Sequence, residues 1–178
     1  MESRAKLFGH PIHQMLIVFP LGLLATSFVF DIVYLSTENG RYADISFWMI
    51  ATGLIGGLVA GIFGLVDWVA IPGGTRAKRI GAFHGIGNAL VTGLFVVSWL
   101  LRYDAPALPG IAPIVLSGLA VMLALVTGWL GGELVDRLAV GVDDGAHLNS
   151  PSSLSDRSAR EYDRGVPIPV HRYPGGRA

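Results

Sequence analysis

Apolar residues run almost unbroken through four stretches of this chain, residues 12–35, 45–71, 81–101 and 111–130, with the polar residues gathered between and beyond them. Each stretch approaches or exceeds the ~20 residues an α-helix needs to cross the hydrocarbon layer of a membrane. The pattern predicts an all-α protein, a four-helix transmembrane bundle over residues 1–140. Past Val140 the apolar periodicity stops. Residues 141–178 are rich in Asp, Ser, Pro, Gly and Arg, and such a composition predicts a disordered C-terminal tail. Punctuation agrees with these spans. His10-Pro11 opens the first, where a proline's missing N–H is no loss. Pro20 lies inside it and should kink it, because the Leu16 carbonyl loses its donor. Asp44 is placed to cap the second helix and Thr75 the third. Ile71-Pro72-Gly73-Gly74 ends the second, and Pro106, Pro109 and Pro113 fill the connection before the fourth.

Four antiparallel spans bring the start of the first, the end of the second, the start of the third and the end of the fourth to one membrane face. His10 and His13, Asp67, His84 and Glu133 stand at those ends. Ionisable groups at membrane depth are costly, and by default they mark a site. On the second helix Gly53, Gly57, Ala60, Gly64 and Asp67 step by four, three, four and three residues and so share a face. Small residues at that spacing admit a neighbouring backbone or a flat ligand. His84, Asn88 and Thr92 form a polar stripe on the third helix, and Ser117, Ala124, Gly128 and Gly131 a small-residue seam on the fourth. Asp67 needs a partner near the membrane boundary, and His84 is the nearest candidate. Asp31 should emerge at the opposite interface and pair structurally with Arg41 or Arg102.

Composition sharpens the class. Of 178 residues 52% are hydrophobic and 15% charged, and the mean hydropathy is +0.55, so lipid rather than water is the natural solvent of these helices. A net charge of zero gives no reason to propose nucleic acid as a partner. With no cysteine, the chain has no disulfide, no thiolate ligand and no thiol catalysis. No nucleophile elbow, phosphate loop or zinc-protease motif is present. The first apolar segment outruns a signal-peptide core and no A-x-A site closes it, so it reads as a retained anchor. Arg4, Lys6, Arg76, Lys78, Arg79 and Arg137 flank the face bearing both termini, against Arg41 and Arg102 on the other. That bias places the termini and the His/Asp positions in the cytoplasm.

Two chemistries suit these residues. One is haem b, with His13 or His10 and His84 as axial ligands, the seam around Gly64 as the slot, and Arg76 or Arg79 for the propionates. The other is a divalent transition metal or proton site built from His10, His13, Asp67 and His84, with Asn88 and Glu133 in support. The bland alternative is a scaffold whose polar groups fix helix packing through hydrogen bonds of ~0.6–2 kcal/mol each. Expected partners are the lipid bilayer and a redox protein, with a homo-oligomer left open.

The run Gly9-His10-Pro11-Ile12-His13-Gln14-Met15-Leu16-Ile17-Val18-Phe19-Pro20-Leu21-Gly22 resembles the bacterial domain-of-unknown-function family 2231 of small integral membrane proteins. Phe63-Gly64-Leu65-Val66-Asp67-Trp68, His84 with Asn88, and Gly128-Trp129-Leu130-Gly131-Gly132 followed by Val140-Gly141-Val142 are similar to it too. The likeness spans about residues 7–155. Some relatives are fused to Rieske-type iron–sulfur domains, which implies a redox setting for the membrane part. The resemblance implies no established activity.

Overall fold

The structure is a computed structural model, and it describes residues 1–162. Residues 6–11 form a small antiparallel hairpin, β1 (Lys6–Leu7) against β2 (His10–Pro11). Five α-helices follow: α1 (Ile12–Leu16), α2 (Val18–Thr37), α3 (Gly40–Ala70), α4 (Arg76–Leu101) and α5 (Ile111–Gly132), the last running into a π-helical turn, Glu133–Arg137. With α1 and α2 read as one span, the helices give four elements long and apolar enough to cross a membrane.

Local chemistry explains the boundaries. Regular helix is interrupted at Ile17, between α1 and α2, where Pro20 offers Leu16 no N–H. The α2–α3 connection is far shorter than the hydropathy predicted. Glu38 ends α2 in the left-handed region (φ 54°), and Asn39 at once caps α3 by accepting from the Arg41 N–H at 3.2 Å. Asp44, the expected cap, is instead an exposed residue one turn inside α3. Hydropathy set the start of that helix too late because its first turn is polar. Thr75 does cap α4, accepting from Lys78 N at 3.1 Å. Lys78 in turn caps the other end of the turn, its Nζ donating to the Trp68 carbonyl at 2.7 Å.

The helix exteriors are apolar; Ile55 and Leu58 on α3, for example, are 65% and 63% exposed. Lipid satisfies such a surface and water does not. The interior is layered instead. The inward stripe of α4 reads His84, Asn88, Val91, Phe95, Ser98, Arg102, stepping by four, three, four, three and four, and it passes from polar to apolar to polar. The middle layer is Leu24, Ile50, Leu54, Val91, Phe95 and Ala120. The polar layers lie toward the two ends.

Leu138 to Tyr162 contains no helix or strand, in keeping with its composition, yet its first part is tied to the N-terminal segment. The Met1 ammonium donates to Ala139 O at 2.8 Å, Gly141 N donates to Met1 O at 2.8 Å, and Lys6 bridges Asp143 and Glu2 at 2.5 and 2.8 Å. The composition gave no hint of these bonds, since most use backbone atoms. The hydrogen bonds that Lys6 donates to Asp143 and Glu2 hold its pKa above the usual value, and the Lys6 ammonium lowers that of Glu2. Val166 and Val170, expected not to dock on the helices, lie outside the described residues.

Candidate functional site

Two interior polar centres occupy opposite ends of the bundle. At the terminal face, His13 and His84 approach with ring centres 6.4 Å apart and ring planes at 88°. Each is held in the same manner. His13 Nδ1 lies 2.8 Å from the Ala60 carbonyl of α3, and its ring covers Gly64, where a Cβ would fall 2.9 Å from two ring atoms. His84 Nδ1 lies 2.8 Å from the Thr127 carbonyl of α5, and its ring covers Gly131, where a Cβ would fall 3.1 Å from Cε1. A carbonyl can only accept, so both Nδ1 atoms carry the proton, and in the neutral rings both Nε2 atoms are bare. The His84 Nε2 accepts from Asn88 Nδ2 at 3.2 Å, and Thr127 Oγ1 donates to Asn88 Oδ1 at 3.1 Å. The His13 Nε2 has no hydrogen-bond partner among the described residues.

Other residues expected here go elsewhere. Asp67 does not turn to His84. Its carboxylate accepts from Ser3 Oγ at 2.8 Å and from the backbone N–H groups of Arg4 and Ala5 at 2.8 and 3.4 Å, pinning the N-terminal segment. Backbone donors from a segment with no hydropathy signal won over the imidazole. His10 belongs to β2 rather than to α1, so it does not share a helical face with His13. It lines an open groove of about 520 Å³ with Phe8, Ser152, Ser153 and Leu154. Among the described residues no three His, Asp or Glu side chains are gathered to hold a metal ion, so the four-residue set His10, His13, Asp67, His84 is not assembled. Arg76 pairs with Glu133 at 2.6 Å, and Arg79 is exposed on α4. Thr92 bonds back to the Asn88 carbonyl of its own helix, and Gly128 meets nothing within 4 Å, so neither belongs to an interior seam.

The α3 seam is filled. Gly53 lies against Leu24, Gly57 against Pro20 and Gly64 against His13. Among the described residues these three seam positions, where haem b was expected to lie, are occupied by side chains of the first span. Sequence reasoning missed the Ala60 and Thr127 carbonyls, since any residue type supplies one. The available signal was the glycine four residues beyond each.

At the other end Arg102 reaches Asp31 through two parallel bonds of 2.6 and 2.7 Å, and both side chains are fully buried. Its remaining N–H groups donate to Ser46, Ser98 and Ser117 at 3.3, 3.3 and 3.1 Å. All five guanidinium protons are thus used, and all four spans contribute a side chain. Of the two cations considered for Asp31, the structure selects Arg102.

Residues 9–144 match the family described as "Predicted membrane protein (DUF2231)". No curated protein and no solved structure matches the chain. The match covers the hairpin turn, all four spans, both polar centres and the start of the segment that follows them, and the chain belongs to this family of membrane proteins of unknown function.

Proposed function

We propose that the protein is a redox-associated membrane module that holds one transition-metal ion between His13 and His84. The observation that carries this reading is the pair of imidazoles, each with Nδ1–H committed to a backbone carbonyl and Nε2 left basic. Ligating histidines are commonly oriented in this way, by a carbonyl on the second ring nitrogen. An ion bonded at ~2.0–2.1 Å to one nitrogen of each ring sets the ring centres roughly 5 Å apart at a tetrahedral angle and roughly 6.4 Å apart when it lies in line between the rings; 6.4 Å is found, the in-line value. Imidazole suits zinc, copper, iron and nickel; copper or iron would supply the redox role. Asn88 would yield its bond to Nε2 as the ion arrives. Protonation of the pair is the second reading, since the same bare nitrogens accept a proton.

The terminal face is assigned to the cytoplasm of a bacterial inner membrane. Arg102 is consumed by Asp31, which leaves Arg41 alone against the six basic residues of the terminal face. A C-terminal reporter active in the periplasm would reverse that assignment.

Protein purified in mild detergent without chelator tests the function. The expected result is one zinc, copper, iron or nickel ion per chain, lost in His84→Ala and in His13→Ala. A reduction-sensitive Soret band would replace the ion with haem. Metal-free protein that does not take up zinc(II) on titration, together with a His84→Ala chain that loses only stability, would leave a packing role.

A further inference from the structure

The two polar centres and the layer between them are related by one numerical shift. His13, Leu24, Ser27, Asp31 and Ser46 stand 71 positions before His84, Phe95, Ser98, Arg102 and Ser117. All ten face the interior, and eight of them are buried. At the same shift Gly22 and Gly93 both meet nothing within 4 Å. Toward the end of the second helix of each half the shift becomes 67. Leu58-Val59-Ala60-Gly61-Ile62-Phe63-Gly64 then aligns with Leu125-Val126-Thr127-Gly128-Trp129-Leu130-Gly131, identical at four of seven positions. Gly61 and Gly128 face outward in both copies, and Gly64 and Gly131 lie under a histidine ring in both.

Contacts repeat as well as residues. His13 bonds the Ala60 carbonyl and covers Gly64; His84 bonds the Thr127 carbonyl and covers Gly131. Phe28 of the first half packs on Gly118 of the second, and its counterpart Trp99 stacks on Phe47, the counterpart of Gly118, at 5.3 Å. Contacts across the halves therefore come in exchanged pairs, as a two-fold axis requires. The first span of each half runs in the same direction, so that axis lies along the membrane normal.

We infer that the chain is a tandem of two copies of one helical hairpin, α1–α3 and α4–α5, and that His13 and His84 are one ligand contributed once by each copy to a single site on the axis between them. The site takes one ion, with one ring nitrogen from each side, and only that of His84 gives up a bond, to Asn88, as the ion arrives. This ligand assignment rests on the proposed function; the duplication does not. The duplication also accounts for Ser27, which is fully buried and, among the described residues, bonds only the Leu24 carbonyl of its own helix. It is the counterpart of Ser98, which serves Arg102. At the opposite end the copies have diverged. Equivalent positions carry Asp31 and Arg102, and they face each other across the axis with Ser46 and its counterpart Ser117 on either side.

Exchanging the two charges tests the inference in the full chain. An arginine at position 31 would find Ser27, Ser46 and Ser117 placed as Ser98, Ser117 and Ser46 are now. Asp31→Arg and Arg102→Asp should each abolish the native melting transition in detergent. The double variant Asp31→Arg/Arg102→Asp should recover most of the melting temperature lost. A double variant no better than either single one would overturn the duplication. Zinc(II) titration of the unaltered chain, which needs no refolded variant, should saturate at one ion. His13→Ala and His84→Ala should each weaken that binding, by at least ~100-fold. Loss of binding in one variant alone, or two ions per chain, would overturn the shared axial site. No zinc binding alongside a successful exchange would remove the metal reading and leave the duplication standing.

Discussion

The two ends of the bundle solve the same problem in opposite ways. Around Arg102 and Asp31 all five guanidinium protons have acceptors and both charges are fully buried. Around His13 and His84 no counter-charge is supplied, the rings are half-buried, and one ring nitrogen has no partner among the described residues. Interior polarity in a membrane protein thus has two meanings here. A saturated cluster fixes helices, whereas an unsaturated one offers a place for something that is not part of the chain.

The contrast can be broken most severely at the saturated end. Arg102→Leu would leave a carboxylate buried without a cation, and removing one member of such a pair costs about 3–5 kcal/mol. The expected outcome is a chain that no longer gives a sharp melting transition in detergent, with metal retention lost together with the fold. A stable Arg102→Leu chain would mean the two ends are not so different.

A smaller and more selective effect is expected at the other end. In Gly64→Ala the new methyl would lie 2.9 Å from two atoms of the His13 ring, so the ring must move. The overpacking cost of ~1–3 kcal/mol is partly offset by the ~1 kcal/mol better helix propensity of alanine. Melting should therefore change little while zinc(II) affinity falls. Gly131→Ala should do the same through His84. A large drop in melting temperature with affinity intact would assign the glycines to packing alone.

The smallest effect concerns the N-terminal segment. Glu2 has a lowered pKa in the folded chain, so its contribution is present above the ordinary carboxylate value and fades as pH falls through the depressed one. Lys6 has a raised pKa, so its contribution is complete below the ordinary lysine value and fades as pH rises through the raised one. Amide exchange of residues 1–11, corrected for its intrinsic pH dependence, should quicken as pH falls below about 5 and as it rises above about 10. Unchanged exchange at both extremes would remove the Lys6 bridge from the ordering of this segment.

Sequence carried the spans, the Thr75 cap, the Pro20 interruption and the inward turn of His84 and Asn88, because each follows from hydropathy or from a residue's own backbone chemistry. It placed the Asp67 carboxylate wrongly, since the competing donors were main-chain N–H groups of Arg4 and Ala5. The Glu38–Asn39 turn was hidden by a polar first helical turn. Ser46 and Ser98 went unnoticed, although their spacing from Ser117 and Ser27 was readable once the chain was laid against itself.

The brevity of that turn has a further consequence. On the opposite face α2 and α3 are joined through Glu38 and Asn39 alone, and a Cβ on Gly40 would meet the Ala107 carbonyl at 2.5 Å, so the two connections there are pressed together. Such a surface has no room for inserted sequence. The terminal face, with its hairpin, the residue 71–75 turn and the irregular segment after Leu138, has ample room. Variation among relatives, fused domains and affinity tags should accumulate on that side, leaving the other a nearly fixed floor.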